Sequence, residues 1–293
     1  MEKDQRLAGQ TAVACSAILW STAGLFIKLI SWHPFIIAGA RSLVAAVFLL
    51  VFRTVTQKKP LVEHKKQPLS PLLLIGGSIN YALTMTLFII ANKLTSSANA
   101  ILLQYTAPVW AALFGWLLLK ERPFWQQWVS LAMVGAGMVL FFRDGLGGGT
   151  FLGDSLALIS GITFGANSIF LRKAKDRSPV DILLWANVIN ILPAIPFFIL
   201  YPPVFTMTNS LSILFLGIFQ LGAASAFLSY GIKRITGVQA MLTATIEPVL
   251  NPFWVFLAIG EVPLRSTILG GIVIVAAVIF SSLAGKQAMK KAV

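Results

Sequence analysis

Long uncharged stretches alternate with short polar ones along the whole chain. No Asp, Glu, Lys or Arg occurs from 94 to 119 or from 182 to 232. A helix that crosses a bilayer needs about 20 such residues. Read this way, the pattern predicts ten spans, at about 8–28, 34–52, 70–91, 96–119, 125–142, 152–171, 180–200, 210–232, 238–260 and 265–284. The polar start MEKDQRLAGQ lacks a basic region followed by a small-residue cleavage site, so 8–28 reads as a retained first helix. Most connections are short. The longest basic one, 53-RTVTQKKPLVEHKKQPL-69, carries prolines and charges that forbid a buried helix. The loop 143-RDGLGGGTFLGD-154 is glycine-rich but has neither the lysine nor the spacing of a phosphate-binding loop, and reads as a linker.

Composition agrees with this division. Of 293 residues, 57% are hydrophobic and 11% charged, against roughly 25% charged in soluble domains. Mean hydropathy is +0.83. The fold class expected is an all-α polytopic membrane protein. A single cysteine, Cys15, and two loop histidines, His33 and His64, predict no disulfide scaffold, no metal cluster and no cofactor.

The net charge of +13 raises nucleic acid as a partner until its placement is considered. With the N-terminus inside, 18 lysines and arginines fall in inside segments and 4 at the outer ends. The remaining one, Arg41, lies within the second span. This bias predicts both termini in the cytoplasm, an even number of spans, a cell-membrane location and basic contacts with anionic lipid heads, with no nucleic-acid partner. Single cysteines in a Cys15→Ser background should therefore label from outside near positions 31, 93, 147, 205 and 263. Outside labelling at position 60 would contradict this topology.

Two segments break the oily pattern in the same way. In 100-AILLQYTAPVW-110 and 244-ATIEPVLNPFW-254, small and apolar residues run into a proline, and the second adds a glutamate and another proline. They are related by an internal repeat. A shift of 140 superposes Gly77 on Gly217, Asn80 on Gln220, Pro108 on Pro248, Glu121 on Glu261 and Pro123 on Pro263. A shift of 144 superposes Gly9 on Gly153, Ser16 on Ser160, Trp20 on Phe164 and Lys28 on Arg172. The repeat divides the chain into residues 1–148 and 149–293, with five spans each. An odd number of spans makes the second unit enter from the opposite side. The two units are then inverted about an axis in the membrane plane, a common basis of alternating access.

These motifs resemble the drug/metabolite transporter superfamily, in particular the ten-helix EamA-like transporters. The resemblance rests on 19-LWSTAGLFIK-28, on 34-PFIIAGAR-41, and on the pair 98-ANAILLQYTAPVWAALFGWLLLKERP-123 and 238-VQAMLTATIEPVLNPFWVFLAIGEVP-263. Proline followed by glutamate 13 residues later, in both halves, is its most specific feature. The resemblance implies a secondary carrier with a cavity between its halves, moving small metabolites such as amino acids, usually outward.

The polar inventory of the spans supplies site candidates. Glu247, near the middle of its span, costs several kcal/mol unless it faces a cavity or a partner. It reads either as a substrate-ammonium or proton-coupling group, or as a packed structural acid. Arg41 reads as a cavity residue, as a partner of Glu247 or of an anionic substrate group, or as a snorkelling side chain. Asn80, Gln220, Tyr81, Tyr105, Trp20, Trp185 and Asn187 are further cavity candidates, and each amide or hydroxyl could equally hold helices together. Pro108, Pro248 and Pro252 are helix-break candidates, because each lacks a backbone donor. Gly161 and Gly165, four apart, read as a close helix contact. Glu121 and Glu261 read as helix-end structure.

No nucleophile–base pair is visible, so an enzyme is not expected. The function expected is a secondary active transporter of small metabolites, an exporter of amino acids or related compounds coupled to protons or to a counter-substrate. A membrane channel or a non-transport structural membrane protein is the alternative. The oligomeric state is left open.

Overall fold

The computed structural model describes residues 2–57, 69–95, 97–145, 150–259 and 264–290. Among them every regular element is helical. In chain order they are α1 (Glu2–Ser21), α2 (Ala23–Lys28), α3 (Pro34–Gln57), α4 (Pro71–Leu94), α5 (Ser97–Gln104), α6 (Ala107–Leu119), α7 (Trp125–Phe142) and α8 (Phe151–Lys173). They continue as α9 (Pro179–Ile191), α10 (Ile195–Leu200), α11 (Met207–Phe215), α12 (Ala224–Ile232), α13 (Gly237–Ala244), α14 (Ile246–Ile259) and α15 (Arg265–Lys290). A π-helical segment, Leu216–Ala223, joins α11 to α12.

These elements occupy the ten predicted spans in order. Eight segments are long and apolar enough to cross a bilayer among the described residues. The ninth span is divided between α13 and α14, and the tenth contains the shorter apolar stretch Arg265–Ser281. The outside of the bundle is apolar: Leu43, Val47, Leu50 and Val51 on α3, and Ile75, Ile79 and Leu83 on α4, are exposed. Lipid rather than water satisfies such a surface. Glu261, Pro263, the basic stretch 58–68 and the glycine stretch 146–149 lie outside the described residues.

Helix pairing obeys the repeat. The contact of α4 with α8 has its counterpart in α1 with α12, and α4 with α9 in α3 with the π-helical segment. The contacts of α5 and α6 with α8 match those of α13 and α14 with α1. The pairs α7–α15, α6–α13 and α3–α9 map onto themselves. This is the pairing of a two-repeat bundle with a pseudo-twofold axis.

Polar ties between segment ends sort the chain into two faces. On one face, Trp32 donates to Val204 O at 2.7 Å, Thr150 to Leu94 O at 2.7 Å and Asn209 to Ser31 at 3.2 Å, and Ser266 bonds Asp144. On the other, Arg53 pairs with Asp181 and Arg172 with Glu121, each at 2.7 Å, and Arg6 reaches Gln239 at 3.3 Å. Every tie joins ends that the alternating topology assigns to the same side. Arg172 also donates to Ile232 O and Lys233 O, at 3.0 and 3.1 Å, where the carbonyls ending α12 favour a cation. Glu121→Gln is expected to lower stability by about 1–2 kcal/mol, since the Arg172 pair is only partly screened. Thermal unfolding of the detergent-solubilised variant measures this, and an unchanged midpoint would mean that the pair contributes nothing.

Candidate functional site

Both sequence breaks are real interruptions at equivalent positions. α5 ends at Gln104, residues 105–106 form a turn, and α6 starts at Ala107. α13 ends at Ala244, Thr245 forms a turn, and α14 starts at Ile246. The first N–H groups of a helix have no intrahelical acceptor. Pro108, second in α6, and Pro248, third in α14, therefore forfeit no helical hydrogen bond. A threonine serves each break: Thr106 Oγ1 donates to Leu103 O and Thr245 Oγ1 to Leu242 O, both at 2.7 Å. α14 continues as helix through Pro252, whose missing N–H leaves one helical bond unmade but does not end the helix. The side chain of Pro252 lies outside the described residues.

The second break positions Glu247 in the first turn of α14, where the helix's positive end favours a negative charge. Tyr105, in the first break, donates its hydroxyl to Glu247 Oε2 at 2.6 Å. Arg41 on α3 and Tyr81 on α4 lie close enough to act electrostatically on Glu247 and on each other. Arg41 and Glu247 both keep some accessible surface in mid-span. No ion pair joins them among the described residues, and Arg41 Nε is buried without a hydrogen-bond partner there. Tyr81, 2% exposed, and Trp20, 5% exposed, likewise leave Oη and Nε1 without partners.

Phe164, which the sequence did not single out, completes this cluster. Its ring meets Trp20 edge-on at 6.5 Å and Tyr105 at 6.2 Å. Trp20 and Phe164 are equivalent under the shift of 144, and equivalent residues that touch lie at the pseudo-twofold axis. The repeat alignment was the signal that pointed to Phe164. The site therefore sits between the halves, with Trp20, Arg41, Tyr81 and Tyr105 from the first and Phe164 and Glu247 from the second.

The other candidates have surroundings of their own. Asn80 donates to Thr163 O at 2.9 Å and to Asn167 Oδ1 at 2.5 Å, within an α4–α8 network that includes Thr84 and Ser160. Asn187 is buried and donates to Leu183 O one turn back at 2.8 Å. Trp185 is half-exposed on α9. Gln220 is buried in the π-helical segment with Oε1 unpartnered. Segments of this kind recur at functional sites. An apolar groove of about 510 Å³ beside α14 and α15, lined by Phe141, Val249, Phe253 and Ile272, does not include the polar cluster.

Comparison with known proteins agrees with this architecture. A protein called an uncharacterized transporter, YdfC, from Bacillus subtilis (strain 168), is 28% identical over 273 residues, covering 90% of this chain and 88% of its own length. A protein named S-adenosylmethionine uptake transporter, from Rickettsia prowazekii (strain Madrid E), is 23% identical, covering 88% of this chain and 85% of its own. A solved crystal structure at 21% identity shares the fold, with a TM-score of 0.80 over 97% of this chain and 99% of that one. The EamA-like transporter family matches residues 7–143 and again 151–283. With that match in both halves of an all-helical, two-repeat bundle, the chain belongs to the EamA-like transporter family and is a multi-pass membrane transporter.

Proposed function

We propose that the protein is a secondary active transporter that exports amino acids or related small metabolites by alternating access. In this reading its units are residues 1–148 and 149–293, inverted in the cell membrane with both termini cytoplasmic. One observation carries it: Arg41 and Glu247, ionisable groups of opposite sign from opposite halves, lie within electrostatic reach of each other with no ion pair between them among the described residues. A bilayer interior makes a charge expensive unless a partner or a cavity compensates it. A zwitterion that bridges the two would compensate both at once. S-adenosylmethionine, named for the Rickettsia relative, is itself an amino-acid derivative. Outward direction follows the family resemblance, whereas that relative's name specifies uptake.

Glu247 is the coupling group in this reading. It holds a proton or the substrate amine, and not both, so that release of one accompanies capture of the other. Purified protein in liposomes tests this with labelled amino acids, with and without a proton gradient. Saturable counterflow, and accumulation that follows the imposed pH difference, are expected. Unsaturable flux without counterflow would establish a channel instead.

A further inference from the structure

Three buried donors of the first half, Arg41 Nε, Tyr81 Oη and Trp20 Nε1, find no hydrogen-bond partner among the described residues. All three come from the first three spans, whereas the carboxylate comes from α14 and is already engaged by Tyr105. Buried polar groups left unpaired are costly, and they are rare in native folds. A guanidinium with a neighbouring phenol is a donor set that suits an acceptor-rich, negatively charged group. The charge of Glu247 nearby argues against a dianion, because like charges at short range in a poorly screened interior repel strongly. The walls are aromatic, from Trp20, Phe164 and Tyr105, and suit an apolar skeleton between the charged ends.

We infer that Arg41 and Tyr81 form a carboxylate subsite, so that the transported molecule is a monocarboxylate whose amine turns toward Glu247 and whose apolar body lies against Trp20 and Phe164. The inference rests on the carrier reading and deepens it by assigning each end of the substrate to one half of the protein. Tyr81 acts here as a binding residue of the first half, distinct from the Tyr105–Glu247 pair.

The test uses the full-length protein in detergent and two matched series built on leucine and phenylalanine. Each series comprises the amino acid, its amide, the decarboxylated amine and the deaminated acid. Thermal stabilisation is read across a concentration range. The amino acid and the deaminated acid are expected to stabilise the protein, and the amide and the amine to require roughly tenfold more ligand or to fail, a difference typical of losing one charged hydrogen-bond pair. Arg41→Gln should erase the difference between acid and amide, and Arg41→Lys should restore part of it. The series on the unsubstituted protein decides the matter even if an Arg41 variant does not fold. Amines or amides that bind as well as the acids overturn the subsite, as does silence of every compound in both series. Acid-selective binding without counterflow would leave the subsite standing and defeat the carrier reading.

Discussion

Glu247→Gln is expected to suppress pH-driven accumulation strongly while leaving counterflow measurable. The amide keeps the shape of the carboxylate, and its carbonyl still accepts the Tyr105 hydroxyl that now meets Glu247 at 2.6 Å. It can neither take up a proton nor hold a negative charge at the start of α14. A carrier whose acid alternates between proton and amine therefore loses its link to the gradient. Exchange of substrate for substrate needs no net proton movement and persists, with a half-saturation raised by roughly tenfold for the lost charge on the amine. Gradient-driven accumulation should fall by about ten- to a hundredfold, on the same conversion of binding energy. Both modes intact would show that Glu247 is neither ligand nor coupling acid. Loss of both, with protein amount and folding unchanged, would assign it to binding.

The second large effect is structural. α8 packs directly on the first break through Gly161 and Gly165. A methyl group at Gly161 would stand 2.6 Å from Leu103 O and 2.7 Å from Thr106 Oγ1, and one at Gly165 would stand 2.7 Å from Ala107 O. These are backbone atoms and the threonine that serves the break, so they cannot step aside cheaply. Gly161→Ala is expected to destabilise the folded protein by about 1–3 kcal/mol, the range of overpacking in a tight core. Gly135 on α7 is the matched control, with nothing within 4 Å of an added methyl. Gly135→Ala should be neutral or stabilising by up to about 1 kcal/mol, because alanine is the better helix former. Thermal unfolding of the two variants side by side measures the difference. Equal midpoints would show that α8 does not need this approach.

The amide pair illustrates how far the repeat alone can lead. Asn80 and Gln220 are equivalent in sequence, yet Asn80 is bonded to α8, whereas Gln220 sits in a π-helical segment with no counterpart in α4 and its Oε1 has no partner among the described residues. Equivalence of position did not carry equivalence of surroundings, because the two halves pack on different local backbones. Phe164 shows the converse. It is one of 21 phenylalanines, ordinary by itself, and contact with its repeat mate Trp20 places it on the axis.

What could be read from the sequence alone was whatever the bilayer makes expensive. A charge, a proline or an uncharged run in the hydrocarbon region each costs or saves several kcal/mol locally. Spans, repeat, break positions and the deep charges Arg41 and Glu247 were therefore legible one residue at a time. Which way a side chain faces was not. In water, a helix advertises its buried side by its apolar stripe, but in lipid the outward face is apolar too. Only the tertiary structure could turn Trp185 outward, commit Asn80 to Asn167, seat Pro108 and Pro248 in first turns where they forfeit no helical bond, and bring Tyr105 to Glu247. Each of these depends on a partner far away in the chain, and no local pattern records that partner.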